Sequence, residues 1–226
     1  MTGIFLDTGD IEQIKKYHSM GIIRGVTTNP TIMSREQNKG NLNFKKRLIE
    51  IAHLINPLPL SIELMTNEYT EMKKQAIEFS KWAKNINIKV TIHGPEGEMD
   101  NIKIINELEN KAKVRVNVTA MVTAQQCFVA AMAGATYVSI FGGRANDLGY
   151  DSKAEIKKLR SLIDTMNLKS KIIAGSVRET SNVTDWFHSG AHIVTCPPQF
   201  LEKIIIHPHT KEIVKQFLKD SLKLKK

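Results

Sequence analysis

Residues 85–97 read Asn85-Ile86-Asn87-Ile88-Lys89-Val90-Thr91-Ile92-His93-Gly94-Pro95-Glu96-Gly97. Ile86, Ile88, Val90 and Ile92 alternate with Asn87, Lys89 and Thr91, the period of two that sends successive side chains to opposite faces of a strand. Lys89 therefore shares a face with Asn87 and Thr91. In a half-exposed antiparallel sheet that face meets water and Lys89 is an ordinary surface charge, and the stretch alone favours this reading. In a barrel the same face points inward. An amine held in a partly desolvated interior gives up its proton more readily, and the neutral amine attacks a carbonyl to form a Schiff base. The remainder of the chain decides between the two.

Short apolar runs alternate with longer helical patterns throughout. Gly3-Ile-Phe-Leu-Asp7 ends at an aspartate, and Asp10 caps a helical stretch through about Met20. Ile22 to Thr27 runs into Thr28-Asn29-Pro30, where the proline disfavours helix at Asn29 and marks a turn, followed by a looser polar segment. A helix is predicted from about Leu42 to Leu54, then a strand from Leu58 to Leu64 with Ser61 and Glu63 on one face. Helix over Thr66 to Lys84 precedes the strand of Lys89, and another runs through about Asn110. Val114 to Thr119 sets Arg115, Asn117 and Thr119 on one face; the alanine-rich helix Ala124 to Ala133 stops at Gly134. Strands follow at Tyr137 to Phe141, Ile172 to Ser176 and Ile193 to Cys196, with helices at Ser152 to Met166, Val183 to Ser189, 199–206 and 209–224.

Eight strands, each followed by a helix, predict a single-domain (β/α)8 TIM barrel over residues 1–226 whose strand C-termini share one mouth, with an extra helix at the end. An open doubly wound sheet is the alternative. It lacks support, because no Gly-x-Gly-x-x-Gly follows the first strand and no phosphate-loop motif occurs.

Composition narrows the function classes. The chain has 226 residues, of which 42% are hydrophobic and 24% charged, the balance of a globular domain, and no apolar run approaches membrane-spanning length. The N-terminus lacks a basic region followed by an apolar stretch, so it does not read as a signal peptide. Cys127 and Cys196 have no metal-ligand spacing and read as reduced thiols of a cytoplasmic protein. The net charge of +9 is carried by lysines spread along helices rather than by an arginine-rich block, which favours solvated faces and an anionic small substrate over nucleic acid. His207 and His209 flank Pro208 without a carboxylate or cysteine at ligand spacing, so no metal site is expected there.

At the predicted strand ends polar residues recur: Asp7, Asn29, Glu63, Lys89, Asn117, Thr119, Arg144, Ser176 and Arg178. Pointing inward, Glu63, Lys89 and Asn117 each carry a desolvation cost of roughly a few kcal/mol unless they pair. For any one of them a buried ion pair or a strand-end cap is as good an account as function; for the whole set it is not. The types suit carbon–carbon cleavage. An iminium at Lys89 serves as electron sink, Asp7 and Glu63 move protons, Thr119 holds a water, and Arg144, Ser176 and Arg178 clasp an anion.

These residues carry a resemblance. Leu6-Asp7-Thr8, Gly25-Val-Thr-Thr-Asn-Pro30, Ile88-Lys89-Val90, Asn117-Val-Thr119, Ala133-Gly-Ala-Thr-Tyr-Val-Ser139, Gly143-Arg144 and Ala174-Gly-Ser-Val-Arg178 together resemble the small transaldolase family, which includes fructose 6-phosphate aldolases. The similarity spans nearly the whole chain. It implies Lys89 as the Schiff-base residue, Asp7 and Glu63 as proton-transfer carboxylates and Thr119 as holder of the catalytic water. It implies that Asn29 and Asn117 bind the dihydroxyacetone moiety, that Arg144, Ser176 and Arg178 bind the terminal anion, and that Thr28 and Phe141 also belong to the substrate site. Glutamate at 63 and phenylalanine at 141 fit the transferase branch, since the aldolase branch carries glutamine and tyrosine there. Ile140-Phe-Gly-Gly-Arg144 and Lys89-Val-Thr-Ile-His-Gly-Pro95 depart from the usual Pro-Phe-Val-Gly-Arg and Lys-Val/Ile-Pro. Both departures fall at the mouth, so the terminal anion is open between phosphate and the sulfonate handled by sulfofructose transaldolases.

The expectation is a cofactor-free transaldolase that moves a dihydroxyacetone unit from an anionic ketose to an aldehyde acceptor. The same-chemistry rival is a fructose 6-phosphate aldolase; rivals of another class are a catalytically silent barrel acting as scaffold and a basic nucleic-acid binder. The resemblance implies pentameric rings or decamers. The apolar stripe Ile213, Val214, Phe217, Leu218 and Leu222 predicts that the last helix packs on a neighbour or on its own barrel.

Overall fold

Strands Gly3–Asp7 (β1), Ile23–Thr27 (β2), Leu60–Glu63 (β3), Ile86–Thr91 (β4), Val116–Met121 (β5), Tyr137–Phe141 (β6), Lys171–Gly175 (β7) and Ile193–Cys196 (β8) are all parallel. They close in chain order, β8 pairing with β1, which makes the predicted barrel. The structure is a computed structural model and describes residues 2–38 and 43–224. Helices Ile11–Ser19 (α1), Pro30–Gln37 (α2), Phe44–Ile55 (α3), Tyr69–Ser80 (α4), Asp100–Asn106 (α5), Ala124–Met132 (α6), Gly142–Asp147 (α7), Ser152–Thr165 (α8), Thr180–His188 (α9), Pro198–Ile205 (α10) and Pro208–Lys223 (α11) connect or follow the strands. A π-helical turn over Glu107–Lys111 extends α5.

Side chains set where the helices begin. Asp10, Asn43, Thr123 and Asp151 cap α1, α3, α6 and α8 by accepting from backbone N–H groups of the first turn. Each such cap is worth about 1 kcal/mol. Glu179 and Asn182 form a reciprocal capping box, so α9 starts at Thr180, three residues before the apolar pattern that predicts it from Val183. Leu42, where the sequence begins the third helix, lies outside the described residues.

The main core lies between barrel and helices: Ile88 and Val90 of β4 are buried against the helical layer, together with Leu48, Ile51, Ile104 and Ile105. Burying such a side chain contributes roughly 1.5–3 kcal/mol. Inside the barrel the layers differ. Toward the N-terminal ends of the strands, Phe5, Tyr137, Ile173 and Ile193 fill the lumen, Phe5 meeting Tyr137 edge-on with ring centroids 6.3 Å apart. This apolar layer closes the floor. Two residues further along the same four strands stand Asp7, Ser139, Gly175 and Thr195, and there the interior turns polar at all but the glycine.

Candidate active site

Register brings the chemistry together. Glu63 is the pairing partner of Lys89 on β3, Asn117 its partner on β5, and Thr91 pairs with Thr119 one level nearer the mouth. Lys89 is 5% exposed, which settles the inward reading of the strand. Its ammonium has two partners: Nζ stands 2.9 Å from Glu63 Oε2 and donates to the Thr28 carbonyl oxygen at 2.9 Å. Opposite, Thr27 Oγ1 donates to Asp7 Oδ1 at 2.6 Å. Enclosure by protein pushes the Asp7 carboxyl above its ordinary range, the Lys89 cation and the Thr27 hydrogen bond pull it back, and the Glu63 charge adds to the rise. Asp7 is thus a better proton acceptor than a surface aspartate.

Hydrogen bonds across the strands orient the asparagines. Ser139 Oγ donates to Asn117 Oδ1 at 2.6 Å, and Asn117 Nδ2 donates to Ser61 Oγ at 3.1 Å. One amide hydrogen of Asn117 remains for a ligand. Asn29 caps α2 by accepting from the Ile32 N–H at 2.9 Å, with Pro30 at the first helical position, and its amide nitrogen stays available. Thr119 Oγ1 is buried without a hydrogen-bond partner among the described residues, the condition of a hydroxyl reserved for a water or a substrate oxygen.

The side of the mouth that carries Arg144 and Arg178 is built by close approach. Gly142 and Gly143 open α7 where a Cβ would run into the Trp186 ring and the Ser176 carbonyl respectively, so two glycines let this helix start hard against the end of β7. Ser176 has φ +64, a left-handed conformation that costs a non-glycine residue about 1 kcal/mol or more. Arg144 lies over the Phe141 ring at 5.4 Å and has no carboxylate partner among the described residues, whereas Arg178 Nη2 is held by Asp147 Oδ2 at 3.0 Å.

One cavity of about 760 Å³ at the barrel mouth is lined by Asp7, Asn29, Glu63, Lys89, Asn117 and Thr119, and also by Phe141, Arg144, Ser176 and Arg178. Of the sequence-predicted site, only Thr28 stands apart. Its hydroxyl donates to the Ser61 carbonyl at 3.0 Å, and what it offers Lys89 is its own carbonyl oxygen. Sequence reading missed Thr27, Ser139, Thr195, Arg35 and Gln199, which line the same cavity. Period-two alternation on β2, β6 and β8 could have flagged the first three. Arg35 was hidden because the stretch after Pro30, read as a loose polar segment, begins with helix α2. A smaller cavity of about 410 Å³ adjoins on the β1–β8 side and shares Asp7, Arg35 and Gln199.

The model of the family described as Transaldolase/Fructose-6-phosphate aldolase matches residues 4–226. A protein named "Probable transaldolase" from Carboxydothermus hydrogenoformans is 40% identical over 217 residues, covering 96% of each chain. Another of that name, from Streptococcus agalactiae serotype V, is 38% identical over 216 residues, covering 96% of this chain and 95% of its own. In fold alone, the thiamine phosphate pyrophosphorylase of Pyrococcus furiosus is similar, with a TM-score of 0.58 at 10% identity over 87% of this chain and 85% of that one.

Proposed function

This chain belongs to the transaldolase/fructose-6-phosphate aldolase family, and on that premise we propose that it is a class I transaldolase. It transfers a dihydroxyacetone unit from a ketose with an anionic C6 group to an aldehyde through a Schiff base on Lys89. The observation that carries the reading is the pair of contacts at Lys89 Nζ, the Glu63 carboxylate and the Thr28 carbonyl, at the base of a cavity that also holds Asp7.

Passing one proton from Lys89 to Glu63 along their 2.9 Å contact leaves a neutral amine and a neutral acid with no net charge moved into the interior. The amine adds to the ketose C2 carbonyl, and Glu63 returns its proton to the departing hydroxyl, which leaves as water. Asp7 then takes the proton of the C4 hydroxyl; the C3–C4 bond breaks, its electron pair flows into the iminium, and an aldehyde departs. The reverse sequence joins the retained three-carbon enamine to an acceptor aldehyde, and water, held at Thr119, releases the product from Lys89. Asn29 and Asn117 hold the dihydroxyacetone hydroxyls. Arg144, Ser176 and Arg178 clasp the terminal anion, a phosphate or a sulfonate, and an Arg144 guanidinium with no carboxylate partner among the described residues supports this assignment.

Glu63 and Phe141 favour transfer over release of free dihydroxyacetone, as the resemblance to the transferase branch implies. The two thiols, Cys127 and Cys196, are buried and free, which fits a reducing cytoplasm. Among the described residues no helix is long and apolar enough to cross a membrane. The α11 stripe supports self-association.

Borohydride trapping with fructose 6-phosphate and, separately, sulfofructose, followed by peptide mass spectrometry, tests the assignment. A three-carbon adduct on Lys89 that Lys89→Met lacks is the expected result, and the donor that loads identifies the anion. No adduct from either sugar would move the silent scaffold ahead. Incubation without an acceptor should yield little free dihydroxyacetone; stoichiometric release would favour the aldolase.

A further inference from the structure

Thr27 has a single hydroxyl hydrogen, and it points at Asp7 Oδ1 over 2.6 Å. The same Thr27 oxygen also lies 2.5 Å from Thr195 Oγ1 on β8, and since the Thr27 hydrogen is spent on Asp7, the hydrogen in this second contact must come from Thr195. Both threonines are buried, and the Thr195 hydroxyl has no other hydrogen-bond partner among the described residues. The result is a directed chain, Thr195 to Thr27 to Asp7.

We infer that Thr195 is a positioning residue for Asp7: its hydroxyl fixes that of Thr27 as a donor and so holds the carboxylate ready to accept the substrate's proton. The inference rests on the proton-transfer role proposed for Asp7. Donation into an oxygen strengthens the hydrogen bond that the same hydroxyl gives on, so Thr195 reinforces Thr27 without touching Asp7. When Asp7 takes a proton the chain can reverse, the Thr27 hydrogen turning to Thr195. Other groups also act on Asp7: Lys89 from β4, Glu63 from β3 and the neighbouring Cys196 thiol of β8. Across the adjoining cavity lie Arg35, Asp10, Glu36 and Glu202. A substitution at 195 leaves all of them in place, so its effect on Asp7 reports the hydroxyl chain.

The test is an infrared difference titration of the whole protein, the Asp7 carboxyl band being identified by its loss in Asp7→Asn. Thr195→Val keeps the branched shape and removes the hydroxyl; the band should titrate at a pH higher by roughly half a unit, while Thr195→Ser should titrate with wild type. If the valine variant does not fold, Thr195→Ala carries the same expectation. A hydroxyl-free variant that titrates with wild type, or a serine variant that shifts as far, overturns the inference. Borohydride trapping on the same proteins separates this outcome from the reading beneath it, because a wild type that forms no Lys89 adduct counts against the Schiff base while the titration still decides the chain.

Discussion

Asp7 sets chemistry against stability. Its native carboxyl lies above the ordinary value of 3.8 because burial disfavours the charge. The native state therefore binds this proton more tightly than the unfolded chain. Whatever stability Asp7 contributes is present below about pH 3.8 and is lost as pH rises through the native value. Asp7→Asn removes that loss, so it should melt higher than wild type at neutral pH and with wild type in acid, as thermal denaturation at both values would read. Its turnover should fall by about 10² or more. Most of the polar cavity lining was legible at this scale, since lysine, glutamate and asparagine are conspicuous on strand faces that otherwise bury branched apolar side chains. Thr27 and Thr195 were not, because threonine is also a good strand former and its presence does not distinguish a working hydroxyl from a packing one. Thr28 misled for a related reason: the motif marks the residue, while the atom that meets Lys89 belongs to its backbone.

Among the elements, the long amphipathic helices and the alternating strands were readable and the two short helices at the mouth were not. Helix α2 buries only Met33, and α7 opens on two glycines, so neither shows enough turns for a 3.6-residue period or enough propensity to compensate. Sequence reading placed no helix between Phe141 and Ser152; Gly142 and Gly143, packed close to Trp186 and Ser176, open α7 there. Gly143→Ala would drive a methyl into the Ser176 carbonyl and force α7 outward. The KM for an anionic ketose should rise roughly tenfold or more, the loss of one charge-assisted contact. Trapping with neutral dihydroxyacetone should be spared, and steady-state kinetics beside the adduct assay would show whether the anion alone is affected. Replacing the Asn29 cap is less diagnostic, because one substitution there alters both helix and ligand.

For the molecule as a whole, alternation of strands and helices made the closed barrel readable, and what the sequence left open was where α11 goes. Packing on its own barrel is not what is found: no residue of α11 is buried, and Phe217, Leu218 and Leu222 are each at least 63% exposed. Lys211, Lys215, Lys219 and Lys223 follow one another at four-residue spacing and border the stripe on the side of Leu222. The stripe is left uncovered by the rest of the described chain, and a second copy is its proposed cover. Phe217→Asp with Leu218→Asp should lower the sedimenting mass toward the 25.5 kDa single chain, with the barrel's circular dichroism kept. An oligomeric mass that the substitutions leave unchanged would place the contact elsewhere, and a wild type that already sediments as the single chain would overturn the self-association.

The apolar layer of Phe5, Tyr137, Ile173 and Ile193 leaves the lumen a blind end. Whatever enters at the strand C-termini must leave by the same doorway. Under the proposed Schiff-base mechanism the first aldehyde has to clear the passage before the second can reach the three-carbon enamine, so the two half-reactions would take turns without a ternary complex. Double-reciprocal plots at several acceptor concentrations should be parallel, and an excess of acceptor should slow the enzyme by occupying the entrance ahead of the donor.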